Sequence, residues 1–173
     1  MAHEHHRSQG PRVARFYIVT VSTSRFRERS AGGSPGDESG DLAEAMAREA
    51  GHVVVGRDLL PDDLHAIRRK VFELVQRDDV DVIIFTGGTG LTKTDVTIEA
   101  VRPLFEKEME GFGDVFRYYS IQEVGTAAFL TRSTAGVVNG KAVFLLPGSP
   151  NSVKTGMRII LAEVPHVLYL IRQ

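Results

Sequence analysis

The stretch Val82-Ile83-Ile84-Phe85-Thr86-Gly87-Gly88-Thr89-Gly90 decides how the rest of the chain is read. A short apolar run rich in β-branched residues, bounded by turn formers, reads as a strand covered on both faces, as parallel sheets require. It runs without a break into glycines and hydroxyls, and Thr97 to Phe105 then reads as a helix. Strand, glycine-rich turn and helix are successive parts of a βαβ unit, so the neighbouring segments should repeat the alternation.

They do so in both directions. Upstream, Pro61-Asp62-Asp63 opens a helix in which Leu64, Ile67, Val71, Leu74 and Val75 share one face. Before it come a short strand at Val53 to Val55, a helical spacing at Leu42, Met46 and Ala50 closed by Gly51, and a buried strand at Phe16 to Val21. Ser22 to Gly40 shows no period and reads as a long loop, a kind that is usually functional or disordered. Downstream, Asp114 to Val124 reads as a helix, and Asn139-Gly140 between Val137-Val138 and Lys141 to Leu146 is a strong hairpin signal. The last strand ends in Pro147-Gly148-Ser149-Pro150, followed by a helical region at Val153 to Leu161 that carries on past Pro165 to an apolar stretch at Val167 to Ile171. The fold class is therefore α/β, a doubly wound, mostly parallel sheet with helices on both faces and one antiparallel edge hairpin.

At 173 residues, with 42% apolar and 25% charged positions, the chain has the composition of a globular domain, placed at residues 15–173 behind a flexible tail at residues 1–14. His3, His5 and His6 crowd that tail and are left out of the site. With 21 basic and 22 acidic residues the net charge is −1, which provides no field for nucleic acid or a membrane surface. The absence of Cys removes disulfides, thiolate metal sites and Cys nucleophiles, and suits a reducing cytoplasm. Met1 to Pro11 lacks the apolar segment of a signal peptide, and no apolar run approaches the roughly 18 residues of a membrane span.

In such sheets ligands bind beyond the carboxyl ends of the strands, which selects Ser22 to Gly40, Thr86 to Asp95 and Pro147 to Asn151. Thr86, Gly87, Gly88, Thr89 and Gly90 let backbone N–H groups approach an anion without Cβ interference, and the run is longer than a plain turn needs. Gly87, Lys93 and Thr94 have Walker A spacing, but Thr92 stands where its second Gly belongs, which disfavours a P-loop NTPase. Asp95 and Asp62 each precede a helix, where a carboxylate either caps the N-terminus or holds Mg²⁺. Pro147, Gly148 and Ser149 form a second anion pocket or, equally, a Pro-Gly turn with a helix cap. Lys93, Arg25 and Arg132 are the candidate phosphate cations. His52, His65 and His166 are scattered and read as structural or exposed, and no G-x-S-x-G elbow supports hydrolase chemistry.

Taken together, these loops resemble the MoaB/MogA family of molybdenum cofactor biosynthesis proteins. The matching residues are Thr86 to Gly90 with Asp95-Val96-Thr97 and Glu99-Ala100, Gly111-Phe112-Gly113, Leu130-Thr131-Arg132 and Leu146 to Pro150, with weaker matches at Asp37 to Gly40 and Pro61-Asp62-Asp63. Two positions depart from the family pattern: Thr94 replaces the usual Arg, with Lys93 one place earlier, and Ile98 replaces the usual Pro. The ending at Gln173 is similar to the MoaB branch.

The resemblance implies a molybdopterin-binding domain whose functional carboxylates are Asp62 and Asp95, with Mg²⁺, ATP and molybdopterin as cofactor and substrates. It implies transfer of AMP to molybdopterin ahead of molybdate insertion, or, as the alternative, a non-catalytic pterin carrier. It also implies a homotrimer or homohexamer and a molybdate-insertion enzyme as partner.

Overall fold

The computed structural model describes residues 2–173; Met1 and the side chains of Ala2 and His3 lie outside what is described. In chain order the elements are α1 (Ala2–Gln9), β1 (Arg15–Val21), α2 (Thr23–Ser30), α3 (Glu38–Glu49), β2 (Val53–Leu60), α4 (Leu64–Val75), β3 (Val82–Thr86), α5 (Thr97–Val101), β4 (Lys107–Glu108), α6 (Glu110–Val124), β5 (Thr134–Val138), β6 (Lys141–Leu146) and α7 (Pro150–Ile171). One sheet of six strands runs in the order β2-β1-β3-β6-β5-β4. Strands β2, β1, β3 and β6 are parallel, and β5 and β4 add antiparallel pairings at one edge.

Alternation along the strands separates two cores. Phe16 and Ile18 of β1, Ile84 of β3 and Phe144 and Leu146 of β6 face α3, α6 and α7, where Ala43, Ala47, Phe112, Phe116, Met157 and Ile160 meet them. Tyr17, Val19 and Val21 of β1, with Ile83, Phe85, Val143 and Leu145, face α4 and α5 through Ile67, Val71, Leu74, Ile98 and Val101. Both faces of the central strands are buried, which is why they read as near-continuous apolar runs. The hairpin turns on Asn139 and Gly140 at φ of 45° and 73°, the positive pair that a two-residue turn requires.

Several segments differ from the sequence expectation, each for a physical reason. The expected loop Ser22 to Gly40 contains α2 and the start of α3. Ser22 caps α2 and Asp37 caps α3, but α2 buries no residue and so carries no apolar period. Strand β2 extends to Leu60, because its charged middle is neutralised by Arg57 pairing with Asp37, Asp41 and Glu44 and by Lys70 pairing with Asp58. The expected helix to Phe105 ends at Val101 in a 3₁₀ turn containing Pro103, whose ring lacks the N–H a helix would use. Where a mobile tail was expected, Ala2–Gln9 form α1, docked on α7 by His6 stacked on Tyr169 and by an Arg7–Glu163 ion pair.

Candidate functional site

The register sets the site. Thr20 of β1 lies beside Thr86 of β3, and Thr86 beside Leu146 of β6, so three loops leave the sheet side by side. After β1 the chain reaches α3 on one face, and after β2 it reaches α4 on the other. A crevice opens where the connections diverge. The cleft there, of about 570 Å³, is lined by the Ser22 to Arg25 turn, Asp62, Gly87 to Gly90, Asp95, Pro147 and Gly148, and on its apolar side by Phe116, Val124 and Leu130.

The glycine loop is shaped by close approach. Gly87 and Gly88 sit at φ of 99° and 67°, and a Cβ on Gly87 would meet the Val21 carbonyl oxygen at 2.3 Å. A Cβ on Gly88 would meet Thr97 Oγ1 at 2.4 Å and Asp62 Oδ1 at 2.9 Å. The loop is fastened from below: Gly87 N–H donates to the Leu146 carbonyl (3.0 Å), and Thr97 donates through its N–H to Gly88 O (2.9 Å) and through its hydroxyl to Gly87 O (2.8 Å). Above these bonds the N–H groups of Gly88, Thr89, Gly90 and Leu91 have no acceptor among the described residues. Consecutive N–H groups without a chain acceptor beside a cleft are the arrangement from which an anion nest is built.

The second loop behaves alike. The buried Thr86 hydroxyl donates to Pro147 O (3.0 Å) and the Ser39 hydroxyl to Gly148 O (2.7 Å), which turns both carbonyls inward. Ser149 was a candidate anion ligand, but its Oγ accepts from Ser152 N–H (3.2 Å) as the N-cap of α7; it does not line the cleft, whereas Ser152 does.

Neither Asp62 nor Asp95 caps a helix. Asp63 caps α4, its Oδ1 accepting from Ala66 N–H at 2.6 Å, and α5 has Val96 at its N-cap and no side-chain cap. Asp62 Oδ2 instead accepts from the N–H (3.0 Å) and hydroxyl (2.7 Å) of Thr23, while Thr23 Oγ1 accepts from Asp62 N–H (2.9 Å). Asp95 Oδ2 accepts from the N–H (2.9 Å) and hydroxyl (2.6 Å) of Thr92. In both, one oxygen fixes the carboxylate and Oδ1 has no hydrogen-bond partner among the described residues; neither carboxylate enters an ion pair there. In the sequence Thr92 stood out only as a departure from Walker A spacing and Thr23 not at all, because a hydroxyl in a Ser/Thr-rich turn has no spacing that marks it as a carboxylate anchor.

The candidate cations divide. Arg25 lines the cleft while its Nε donates to Gly36 O (2.7 Å). Lys93 is exposed and does not line it. Arg132 lies behind the loop, paired with Glu99, and its hydrogen bond holds the Glu99 carboxyl below the usual range. His52 is structural: buried against Phe16, its Nδ1 accepts from Ala14 N–H at 3.1 Å. Among the described residues no group of three or more His, Cys, Asp or Glu is set to hold a metal by itself. No described helix is long and apolar enough to cross a membrane.

Comparison with known proteins gives this geometry a context. Residues 17–166 match the family described as "Probable molybdopterin binding domain". Molybdenum cofactor biosynthesis protein B of Bacillus anthracis is 40% identical over 166 residues, covering 95% of this chain and 94% of the relative. A molybdopterin adenylyltransferase of Pyrococcus furiosus is 42% identical over 173 residues and 97% of each chain. The solved structure of the tungsten cofactor synthesizing protein MoaB from the same organism superposes with a TM-score of 0.83 at 41% identity, covering 94% of this chain and 99% of that one.

Proposed function

The chain belongs to this molybdopterin-binding family of molybdenum cofactor biosynthesis proteins, and from that premise we propose that it adenylylates molybdopterin. An oxygen of the molybdopterin phosphate forms a bond to the α-phosphorus of ATP, the bond from that phosphorus to the β-phosphate oxygen breaks, and pyrophosphate leaves. The nucleophile is already anionic at neutral pH, so the reaction needs no general base. It needs positioning and charge neutralisation.

The observation that carries this reading is the pair of pinned, uncompensated carboxylates beside free N–H groups. Asp62 and Asp95 each keep one oxygen free of partners, at the edge of the loop in which Gly88 to Leu91 present unpaired donors. Two carboxylates without a third protein ligand suit Mg²⁺, which takes one or two carboxylates and completes its shell with water and substrate phosphates. When bound, such an ion would offset the charge that builds on the triphosphate. The chain's own part is to hold the phosphates on the N–H groups of the glycine loop and of Gly148. The apolar flank at Phe116, Val124 and Leu130 would exclude water beside them. The carrier alternative relied on Asp62 and Asp95 as helix caps, and the capping by Asp63 removes its support at α4.

The wider assignment follows: a cytoplasmic reaction, with product passed to a molybdate-insertion enzyme. The face of α6 and the turn after it, where Tyr118, Ile121 and Phe129 are exposed, supports assembly as a homotrimer or homohexamer. The deciding experiment is pyrophosphate release from ATP with molybdopterin and Mg²⁺. Turnover that requires all three is expected; stoichiometric pterin binding without pyrophosphate release would leave the carrier reading.

A further inference from the structure

The unpaired donors of the glycine loop share their peptide groups with carbonyls that are themselves engaged: Thr97 takes those of Gly87 and Gly88, and one further side chain takes the next two. Arg132 Nε donates to Thr89 O at 3.1 Å and Nη2 to Gly90 O at 2.6 Å. The next edge of the same guanidinium meets Glu99, with Nη2 at 3.4 Å from Oε2 and Nη1 hydrogen-bonded to Oε1. Arg132 does not line the cleft.

A trans peptide is planar and its N–H points away from its C=O. Among the described residues there are no cis peptide bonds. Drawing the Thr89 carbonyl toward Arg132 therefore turns the Gly90 N–H the other way, and drawing the Gly90 carbonyl does the same for the Leu91 N–H. Both N–H groups lack an acceptor among the described residues; Gly90 lines the cleft, and Leu91 follows it as an exposed residue of the same loop. A cation on the carbonyl oxygen also polarises the amide, making its N–H a stronger donor.

We propose that Arg132, held in place by Glu99, is a positioning residue that aims and polarises the Gly90 and Leu91 N–H groups toward a phosphate in the cleft. It touches no substrate atom and acts only through the two peptide groups. Arginine is required because its planar fork serves two consecutive carbonyls with one edge and a carboxylate with the next; a lysine ammonium offers the charge without that geometry. The inference rests on the glycine loop being the phosphate site.

The test follows Mg²⁺-pyrophosphate, and separately Mg²⁺-ATP, binding to the full chain by calorimetry and by amide NMR signals of Gly88, Gly90, Leu91 and Gly148. In the parent the loop amides should shift on binding. R132M should bind about 10- to 100-fold more weakly, the range of one or two hydrogen bonds involving a charged group. Its Gly90 and Leu91 shifts should shrink more than that of Gly148. R132K should lose about as much, and E99Q about 3- to 10-fold.

Parent-like affinity with parent-like Gly90 and Leu91 shifts in R132M overturns the proposal. A merely structural Arg132 would show itself as lowered thermal stability with unchanged shifts in the folded fraction, which also overturns it. No loop shift in the parent overturns the phosphate reading of the loop and the clamp with it. Should R132M fail to fold, parent-like binding by E99Q is the overturning result.

Discussion

The two ends of the central strands hold aspartates in opposite circumstances. Where β1 and β3 begin, Asp81 is 6% exposed and fully engaged: it accepts from the Arg15 N–H (2.8 Å), from Arg15 Nε and Nη2 (3.0 and 2.9 Å) and from Arg172 Nη2 (3.0 Å). Nearby carbonyls are closed off too, Val75 O by Asn139 and Arg77 O by Lys141. Where the same strands end, Asp62 and Asp95 meet only hydroxyl and backbone donors from Thr23 and Thr92. A carboxylate compensated within the chain serves the fold. A carboxylate pinned on one oxygen and left without a cation stabilises the fold less than a paired one, and its remaining oxygen is available to a cation arriving with a ligand.

The largest effect that could break this comparison is on turnover. Asp62→Asn and Asp95→Asn keep size and the ability to accept from Thr23 or Thr92, but remove the charge. AMP transfer in single turnover should fall about 10²- to 10³-fold, equivalent to roughly 3–4 kcal/mol of lost transition-state stabilisation. Thermal stability should barely change and molybdopterin binding should persist. Parent-like transfer in both variants would mean that the uncompensated carboxylates are not functional.

Asp81→Asn should show the converse. Removing the carboxylate shared by the Arg15 N–H and the half-exposed Arg15 and Arg172 guanidinium groups should cost about 2 kcal/mol in denaturant unfolding, with AMP transfer per folded molecule unchanged. Acid sharpens the test. Burial alone would raise the Asp81 carboxyl, but the hydrogen bonds and charges of Arg15 and Arg172 prevail and hold it below its ordinary 3.8. The unfolded chain therefore binds the proton first as pH drops. The stabilisation is complete above pH 3.8 and is lost as pH falls through the lower, folded value, where parent and variant curves should converge.

A smaller effect separates adjacent residues. Asp63→Ala should cost about 1 kcal/mol of stability, the usual worth of an N-cap, with transfer unaffected. If it instead matched Asp62→Asn in activity, the assignment of cap and functional carboxylate at α4 would be reversed.

Sequence resolved the centre of the molecule better than its rim. Runs such as Val82 to Phe85 are unambiguous because both of their faces are buried, and Asn139-Gly140 because few other pairs accept positive φ. The helix α2 was not legible, since it packs no residue into a core, and neither was the full length of β2, whose charges are cancelled by residues distant in sequence. Around the candidate site, what was legible is that the glycine loop and the two aspartates would border the same cleft. Which of Asp62 and Asp63 caps the helix, and whether Ser149 faces a ligand or a helix end, depend on backbone directions that one-dimensional spacing does not carry. Arg132 was visible as a cation, but its orientation toward carbonyls became visible only with the fold.

The smallest expected effect lies at the compensated end and tests whether it contains any charge-dependent liability of its own. His52, 8% exposed, accepts the Ala14 N–H through Nδ1, a bond that requires this nitrogen unprotonated. Burial pushes the imidazole below its ordinary 6.5. Between the folded and the unfolded values the unfolded chain binds more protons, so the contribution is complete above pH 6.5 and is lost as pH falls from there toward the folded value. A single group cannot exceed a slope of about 1.4 kcal/mol per pH unit. His52→Gln keeps a neutral acceptor for Ala14 and does not titrate, while every other histidine is common to both proteins and cancels in the difference. Unfolding free energies compared between pH 7.5 and 5.5 should therefore show the parent losing more stability than the variant. Equal losses would place the acid sensitivity of this end elsewhere, and would leave Asp81 as the titrating group that distinguishes it from the end proposed to bind ligand.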